Sequence, residues 1–237
     1  MGLSRFRAAI VDLDGTMVDT LGDFEVALNR TLADLGLPSV ARPLVERTVG
    51  KGSEHLIRTV LTHQLALPDN GGSTTAGTAP SVDKLYEPAW QLYQQHYWQI
   101  NGAHAAVYPG VPEGLEQLQQ AGWRLACLTN KPLAFATALL ADKGLAGYFS
   151  LVFGGDSFER KKPDPLPLLR TCEALGTLPQ ETLMVGDSSN DAQAGHAAGC
   201  GVVLVTYGYN HGEPIRRTPA LAWVEALTDI PAALAQS

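Results

Sequence analysis

Two carboxylates stand one residue apart in Asp12-Leu13-Asp14-Gly15-Thr16, directly after the apolar run Ala8-Ala9-Ile10-Val11. Like charges this close call for a counter-charge. An Asp-x-Asp pair at the carboxyl end of a strand aims oxygen ligands into one crevice, where a hard cation and a phosphate can both be held. Asp-Gly after an apolar run is also the mark of a plain turn, and these five residues alone leave both readings open.

Three further polar clusters also follow apolar segments. Thr129-Asn130-Lys131 comes after Leu125-Ala126-Cys127-Leu128, which sets hydroxyl and amide groups at a strand end. By itself it also reads as a helix N-cap ahead of Pro132. Lys161-Lys162-Pro163-Asp164-Pro165 places a cation just before a helix whose start is fixed by proline; alone, it also reads as a solvated charge pair. Gly186-Asp187-Ser188-Ser189-Asn190-Asp191 follows Thr182-Leu183-Met184-Val185. Its two acids open a helix, where the dipole favours negative charge without any function. The small residues Ala192, Ala194, Gly195, Ala197 and Ala198 behind them let that helix lie close to a sheet and hold Asp187 against the acids of the first strand. In a doubly wound sheet all four strand ends face one crevice. Three acids, a hydroxyl and a lysine gathered there supply metal ligands, a nucleophile, an acid/base and a charge clamp, the set that phosphoryl transfer requires.

The elements that must position these groups are legible in the hydrophobic pattern. Short β-branched or apolar runs at 124–128, 151–153, 182–185 and 202–205 alternate with helix-like stretches at 111–121, 133–143, 165–175 and 192–198, each closed by a glycine. With residues 7–13 added, the expectation is an α/β fold with a five-stranded parallel sheet. Residues 21–104 break the rhythm, with helical periods at 24–35, 43–65 and 83–99 and no strand pattern. They read as a helical lobe inserted after the first strand, leaving 1–20 and 105–237 as the core. Residues 69–81 are rich in small polar side chains and read as a flexible connector.

At 237 residues, with 45% hydrophobic and 17% charged residues, the chain has the balance of a globular protein large enough for a substantial core. Its formal charge of −7 and lack of clustered Lys and Arg argue against a nucleic-acid partner. Cys127, Cys172 and Cys200 sit in apolar segments and read as reduced core thiols, which favours the cytoplasm. The apolar stretch behind Arg5 and Arg7 is too short for an export signal and is broken by Asp12, and no segment has the length of a membrane span.

Through all four clusters together, Asp12-Leu13-Asp14-Gly15-Thr16, Thr129-Asn130, Lys162-Pro163 and Gly186–Asp191, the sequence resembles the haloacid dehalogenase superfamily of phosphotransferases over nearly its whole length. The resemblance implies a Rossmann-like core with an α-helical cap inserted after the first motif. It makes Asp12 the nucleophile that forms an aspartyl-phosphate and Asp14 the acid/base that protonates the leaving alkoxide and then activates water. It implies a Mg²⁺ ion on the Asp12 carboxylate, the Asp14 carbonyl and the Asp187 carboxylate, supported by Asp191. Thr129, Asn130 and Lys162 would bind the phosphoryl group, with Thr129 and Lys162 offsetting its charge in the transition state. Asp14 disfavours dehalogenase and phosphonatase chemistry, since those relatives lack an acid at that position.

Gly208-Tyr209-Asn210-His211-Gly212 is similar to the segment after the last core strand of phosphoglycolate phosphatases. The resemblance therefore implies a small phosphorylated metabolite as partner, 2-phosphoglycolate first among them. A sugar-phosphate phosphatase acting on a compound such as N-acetylmuramic acid 6-phosphate, a phosphosugar mutase and a non-catalytic phospho-acceptor or ligand sensor are the rival readings. Selectivity must come from the cap, because the core groups see only the phosphate. Arg47 and Lys51, around Gly50, read either as a cationic loop approaching the site or as solvated charges in a helix–helix turn. None of the six histidines has metal-ligand spacing, and Trp90, Tyr93 and Tyr97 repeat at helical spacing as packing residues of the cap.

Overall fold

The computed structural model describes residues 5–67 and 81–236. In the connector read at 69–81, only Ser81 falls within them. The chain runs through β1 (Ala8–Val11), β2 (Val18–Asp19), the helices α1 (Leu21–Asp34), α2 (Arg42–Thr48), α3 (Ser53–Leu65) and α4 (Val82–Ile100), and β3 (Ala106–Val107). It then alternates α5 (Val111–Gln120), β4 (Arg124–Leu128), α6 (Leu133–Asp142), β5 (Leu151–Phe153), α7 (Leu166–Leu175), β6 (Thr182–Gly186), α8 (Ser189–Ala198) and β7 (Gly201–Val205), and ends with β8 (Ala222–Val224) and α9 (Ile230–Ala235).

One parallel sheet of order β5-β4-β1-β6-β7-β8 forms the centre. Strand β1 lies between β4 and β6, so the order reverses beside it, and a crevice opens at its carboxyl end. Apart from Arg124 and Thr182, which open β4 and β6, the strands are apolar along their length, because helices cover both faces. Ala9 and Val11 pack with α5, α6 and α9 on one face, while Ala8 and Ile10 pack with α7 and α8 on the other. A valine or isoleucine side chain such as Val11 or Ile10, fully removed from water, contributes about 1.5–3 kcal/mol. Helices α7 and α8 end at Gly176 and Gly199 in the left-handed conformation, as the sequence signals. Cys127, Cys172 and Cys200 are buried and unbridged. No helix among the described residues is long and apolar enough to cross a membrane.

Three features differ from the sequence expectation. The sheet has a sixth strand, β8, paired to β7 through Val203↔Ala222; three residues are too few to show a period. The helical stretch read at 43–65 is two helices, because Gly50 and Gly52 take φ of +101° and +90° and turn the chain between α2 and α3. Strands β2 and β3 pair antiparallel, Val18 with Val107 and Asp19 with Ala106, where the chain leaves the sheet and where it returns. Asp23 strengthens this crossing by accepting from the amides of Gly102 and His104, both at 2.7 Å.

Helices α1 to α4 enclose a hydrophobic cluster of their own around Leu28, Leu32, Ile57, Leu61, Tyr93 and Tyr97, joined by Phe135 and Tyr209 from the sheet side. Tyr93 and Tyr97 are buried and in ring contact, as their spacing on α4 implies.

Candidate active site

The carboxyl ends of β1, β4 and β6 carry Asp12, Thr129 and Asp187, and the loop after β5 brings Lys162 to the same crevice. Asp12, Asp14, Asp187 and Asp191 are all buried, as are Lys131 and Lys162. Four carboxylates therefore face two ammonium groups in a space that excludes water, which leaves the pocket short of positive charge.

Lys162 stands at the centre. Its Nζ donates to Asp191 Oδ1 at 2.7 Å and to the Leu128 carbonyl at 2.8 Å, and lies 2.9 Å from Asp12 Oδ1. Burial pulls the Lys162 ammonium down, but Asp12 and Asp191 outweigh it and hold the pKa above its ordinary value. The contact with Asp12 is an ion pair without hydrogen-bond alignment, and Asp12 Oδ1 has no hydrogen-bond partner. Burial, opposed by Lys162 and reinforced by Asp191 and Asp14, pushes the Asp12 carboxyl up to about 7. Asp187 is likewise raised well above the carboxylate range, by burial first and then by Asp191 and Asp12.

Carboxylate oxygens of Asp12, Asp187 and Asp191 lie within 4.8 Å of one another. The buried Asp12 oxygen that accepts no hydrogen bond, together with the surplus of carboxylates, fits a hard divalent cation, which restores the charge that burial opposes. The acids differ in how free they are. Both oxygens of Asp191 are engaged, Oδ1 by Lys162 and Oδ2 by the Ser188 amide and hydroxyl, so Asp191 orients Lys162 and caps α8. Among the described residues, Asp187 accepts from the Tyr209 amide alone, at 2.7 Å. Its carboxylate fits between Gly15 and Gly208, where an added methyl at either position would overlap it.

Asp14 is held differently from Asp12. Its Oδ1 accepts from the Thr20 hydroxyl at 2.7 Å and from Lys131 Nζ at 2.8 Å. Two carboxylates with a single residue between them thus face separate surroundings, one against the acidic cluster and Lys162, the other against a hydroxyl and a second lysine. Such a difference suits one group to nucleophilic attack and the other to proton exchange.

The lobe closes over this edge with main chain and apolar surface. Asp12, Asp14, Thr129, Asn130 and Lys131 line the cleft from the sheet side, facing Phe24, Val49, Gly50, Gly52, Ser53 and Leu56. Asn130 donates to the Gly50 carbonyl at 3.0 Å and to the Lys162 carbonyl at 2.8 Å, and accepts from the Lys162 amide. Asn190 reaches the same Gly50 carbonyl at 3.2 Å. Asn130 thus binds both the Lys162 loop and the turn between α2 and α3. Arg47 and Lys51 are exposed, and neither is among the residues lining the cleft.

Three groups at this site had no role in the sequence reading. Lys131 and Asn190 stood inside clusters already singled out, and position within a strand-end cluster was the usable signal. Tyr209 was quoted without a role. Its hydroxyl donates to Asp19 and accepts from the amides of Thr20 and Leu21, so one residue joins the Asp187 loop to the crossing into the lobe.

Residues 6–199 match the family model described as haloacid dehalogenase-like hydrolase. A phosphoglycolate phosphatase of Thiobacillus denitrificans is 38% identical over 224 residues, covering 94% of this chain and 93% of its own. Another from Nitrosospira multiformis is 41% identical over 221 residues, with 93% and 92% covered. Among solved structures, a predicted phosphoglycolate phosphatase from Haemophilus somnus superposes with a TM-score of 0.88 at 32% identity, over 98% of this chain and 99% of that one.

Proposed function

Because the chain belongs to the haloacid dehalogenase-like hydrolases, we propose that it is a Mg²⁺-dependent phosphatase that cleaves 2-phosphoglycolate to glycolate and phosphate through an aspartyl-phosphate. The observation that carries this reading is the division between the paired acids: Asp12 beside Lys162 and the carboxylate cluster, Asp14 held apart by Thr20 and Lys131. The names of relatives about 40% identical over almost the full length support the substrate.

Asp12 attacks phosphorus as the ionised nucleophile while Lys162, charged and held by Asp191, neutralises the phosphoryl oxygens. Thr129 binds a phosphoryl oxygen from the end of β4. Asp14 acts as the acid/base, giving a proton to the leaving oxygen and then taking one from the water that cleaves the aspartyl-phosphate. Asp12, Asp187 and the Asp14 carbonyl would hold Mg²⁺, which supplies positive charge to the phosphoryl group and keeps Asp12 ionised. The helices of residues 21–104 act as a cap that excludes water from the cleft. Three buried thiols without bridges suit a reducing cytoplasm.

The test is phosphate release from a set of small phosphate monoesters, with and without Mg²⁺. Expected is metal-dependent turnover with 2-phosphoglycolate ranked first. A sugar phosphate ranked first, or isomerisation without phosphate release, overturns the substrate assignment.

A further inference from the structure

A specific 2-phosphoglycolate phosphatase needs a positive group beside the leaving oxygen, because the substrate's carboxylate sits on the carbon attached to it. Lys162 is held by Asp191, the Leu128 carbonyl and Asp12, at the phosphoryl end. Arg47 and Lys51 are exposed outside the cleft lining, and Lys161 is exposed in a neighbouring groove with Trp90 and Gln94. Among the described residues, the one cation that lines the cleft itself is Lys131.

Lys131 is 5% exposed and its Nζ donates to Asp14 Oδ1 at 2.8 Å and to the Tyr97 hydroxyl at 2.6 Å. The same atom lies 4.5 Å from the centre of the Phe24 ring and 4.7 Å from that of Tyr97. An ammonium has three donors. Two have partners here, and the ammonium stands on the cleft wall beside the acid that protonates the leaving group. Burial between two aromatic rings strengthens a charge-assisted bond made there, since little water competes for it.

We propose that Lys131 is the substrate-binding residue that recognises the carboxylate of the leaving group, and so selects phosphate esters of 2-hydroxy acids over uncharged alkyl phosphates. This rests on the phosphatase reading above. The lobe's part is to seat the ammonium through Tyr97 and Phe24 and to close the cleft with the apolar side chains of Val49 and Leu56.

The experiment compares kcat/KM for 2-phosphoglycolate and for ethyl phosphate in the parent enzyme, Lys131→Met and Lys131→Arg, at saturating Mg²⁺. The ratio of the two substrates on one preparation is independent of the fraction of active protein. Lys131→Gln, which keeps a donor for Asp14, serves where the methionine variant does not fold. Expected is a fall of about 10- to 100-fold in the ratio for the neutral variants, mostly through KM, and partial recovery with arginine. Equal losses on both substrates, which a role limited to placing Asp14 would give, overturn the proposal while the phosphatase reading stands. A parent enzyme that shows no preference for 2-phosphoglycolate overturns the proposal together with the substrate assignment.

Discussion

The carboxyl edge of the sheet and the helical lobe meet across one cleft but bring different chemistry to it. From the sheet come buried charged and hydroxyl side chains: Asp12, Asp14, Thr129, Lys131, Lys162 and Asp187. From the lobe come a gripped carbonyl at Gly50, the Phe24 and Tyr97 rings and two aliphatic side chains, while Arg47 and Lys51 face solvent. On the reading proposed above, the difference teaches that reaction and selection need not lie in separate lobes: the lobe would shape and seal, and the ammonium placed to choose a substrate stands on the sheet.

The largest effect that can break this comparison is at the nucleophile. Asp12→Asn should lower kcat by at least about 10⁴-fold, because it removes the attacking charge. The same substitution should stabilise the metal-free fold. Asp12 is raised to about 7 from an unfolded value near 3.8, so the folded state binds more protons between those limits. Its contribution is therefore intact below about pH 4 and is lost as pH rises toward 7. Metal-free Asp12→Asn should unfold at higher denaturant than the parent at pH 8, by on the order of 1–4 kcal/mol, with the gap closing at pH 4 or on adding Mg²⁺ to the parent. A gap that is the same at both pH values would mean that Asp12 carries no such strain.

Next in size is the acid/base. Asp14→Asn should reduce turnover of 2-phosphoglycolate by about 10²–10⁴-fold. Formation of the aspartyl-phosphate from p-nitrophenyl phosphate should suffer far less, because that leaving group departs without a proton. A single-turnover burst as depressed as the steady state would assign Asp14 to the architecture of the site instead.

How much of this was legible in the sequence depends on what each part of the molecule is made from. The sheet side was readable because strand ends follow apolar runs and carry polar groups in the next few residues, so Asp12, Asp14, Thr129, Lys162 and Asp187 could be expected at one crevice, while the roles given to them came from the family resemblance. Strand β8 was not, since Ala222–Val224 is too short to show periodicity and is fixed by pairing with β7. The lobe's helices showed their period, and a loop or helix–helix turn around Gly50 was read from the charges beside it, yet the apolar pattern over 43–65 ran on as one helical stretch where the structure has two helices. Lys131 lay in a quoted cluster, yet its partner Tyr97 is 34 residues away in sequence and its partner Asp14 is 117 away. A pairing across that separation is settled by tertiary packing, and local pattern says nothing of it.

A smaller effect probes how Asp187, the proposed metal ligand, is kept in place. Gly208→Ala puts a methyl where the Asp187 side chain stands, and the Asp187 carboxylate must turn away from its bond to the Tyr209 amide. The Mg²⁺ concentration for half-maximal activity should rise by about 10- to 100-fold, while the KM for substrate at saturating metal changes little. An unchanged metal titration would remove Asp187 from the metal site.

The smallest effect bears most directly on the contrast between the lobe and the sheet. Arg47 and Lys51 are exposed, and Lys51 contributes to lowering His55 and His211, after burial, which places it on the side of the 208–212 loop. Charges in that position act on an anionic substrate through solvent, where salt screens them within about 8–10 Å. Neutralising both, as Arg47→Gln with Lys51→Gln, should lower kcat/KM by about threefold or less. The loss should be similar for 2-phosphoglycolate and ethyl phosphate, and smaller still at high ionic strength. The glutamine at 47 keeps part of the stem that packs beside Gly212, so the turn itself is retained. A tenfold loss confined to 2-phosphoglycolate and insensitive to salt would place the carboxylate receptor on the lobe, and would take from Lys131 the role that its burial and its bond to Asp14 assign to it.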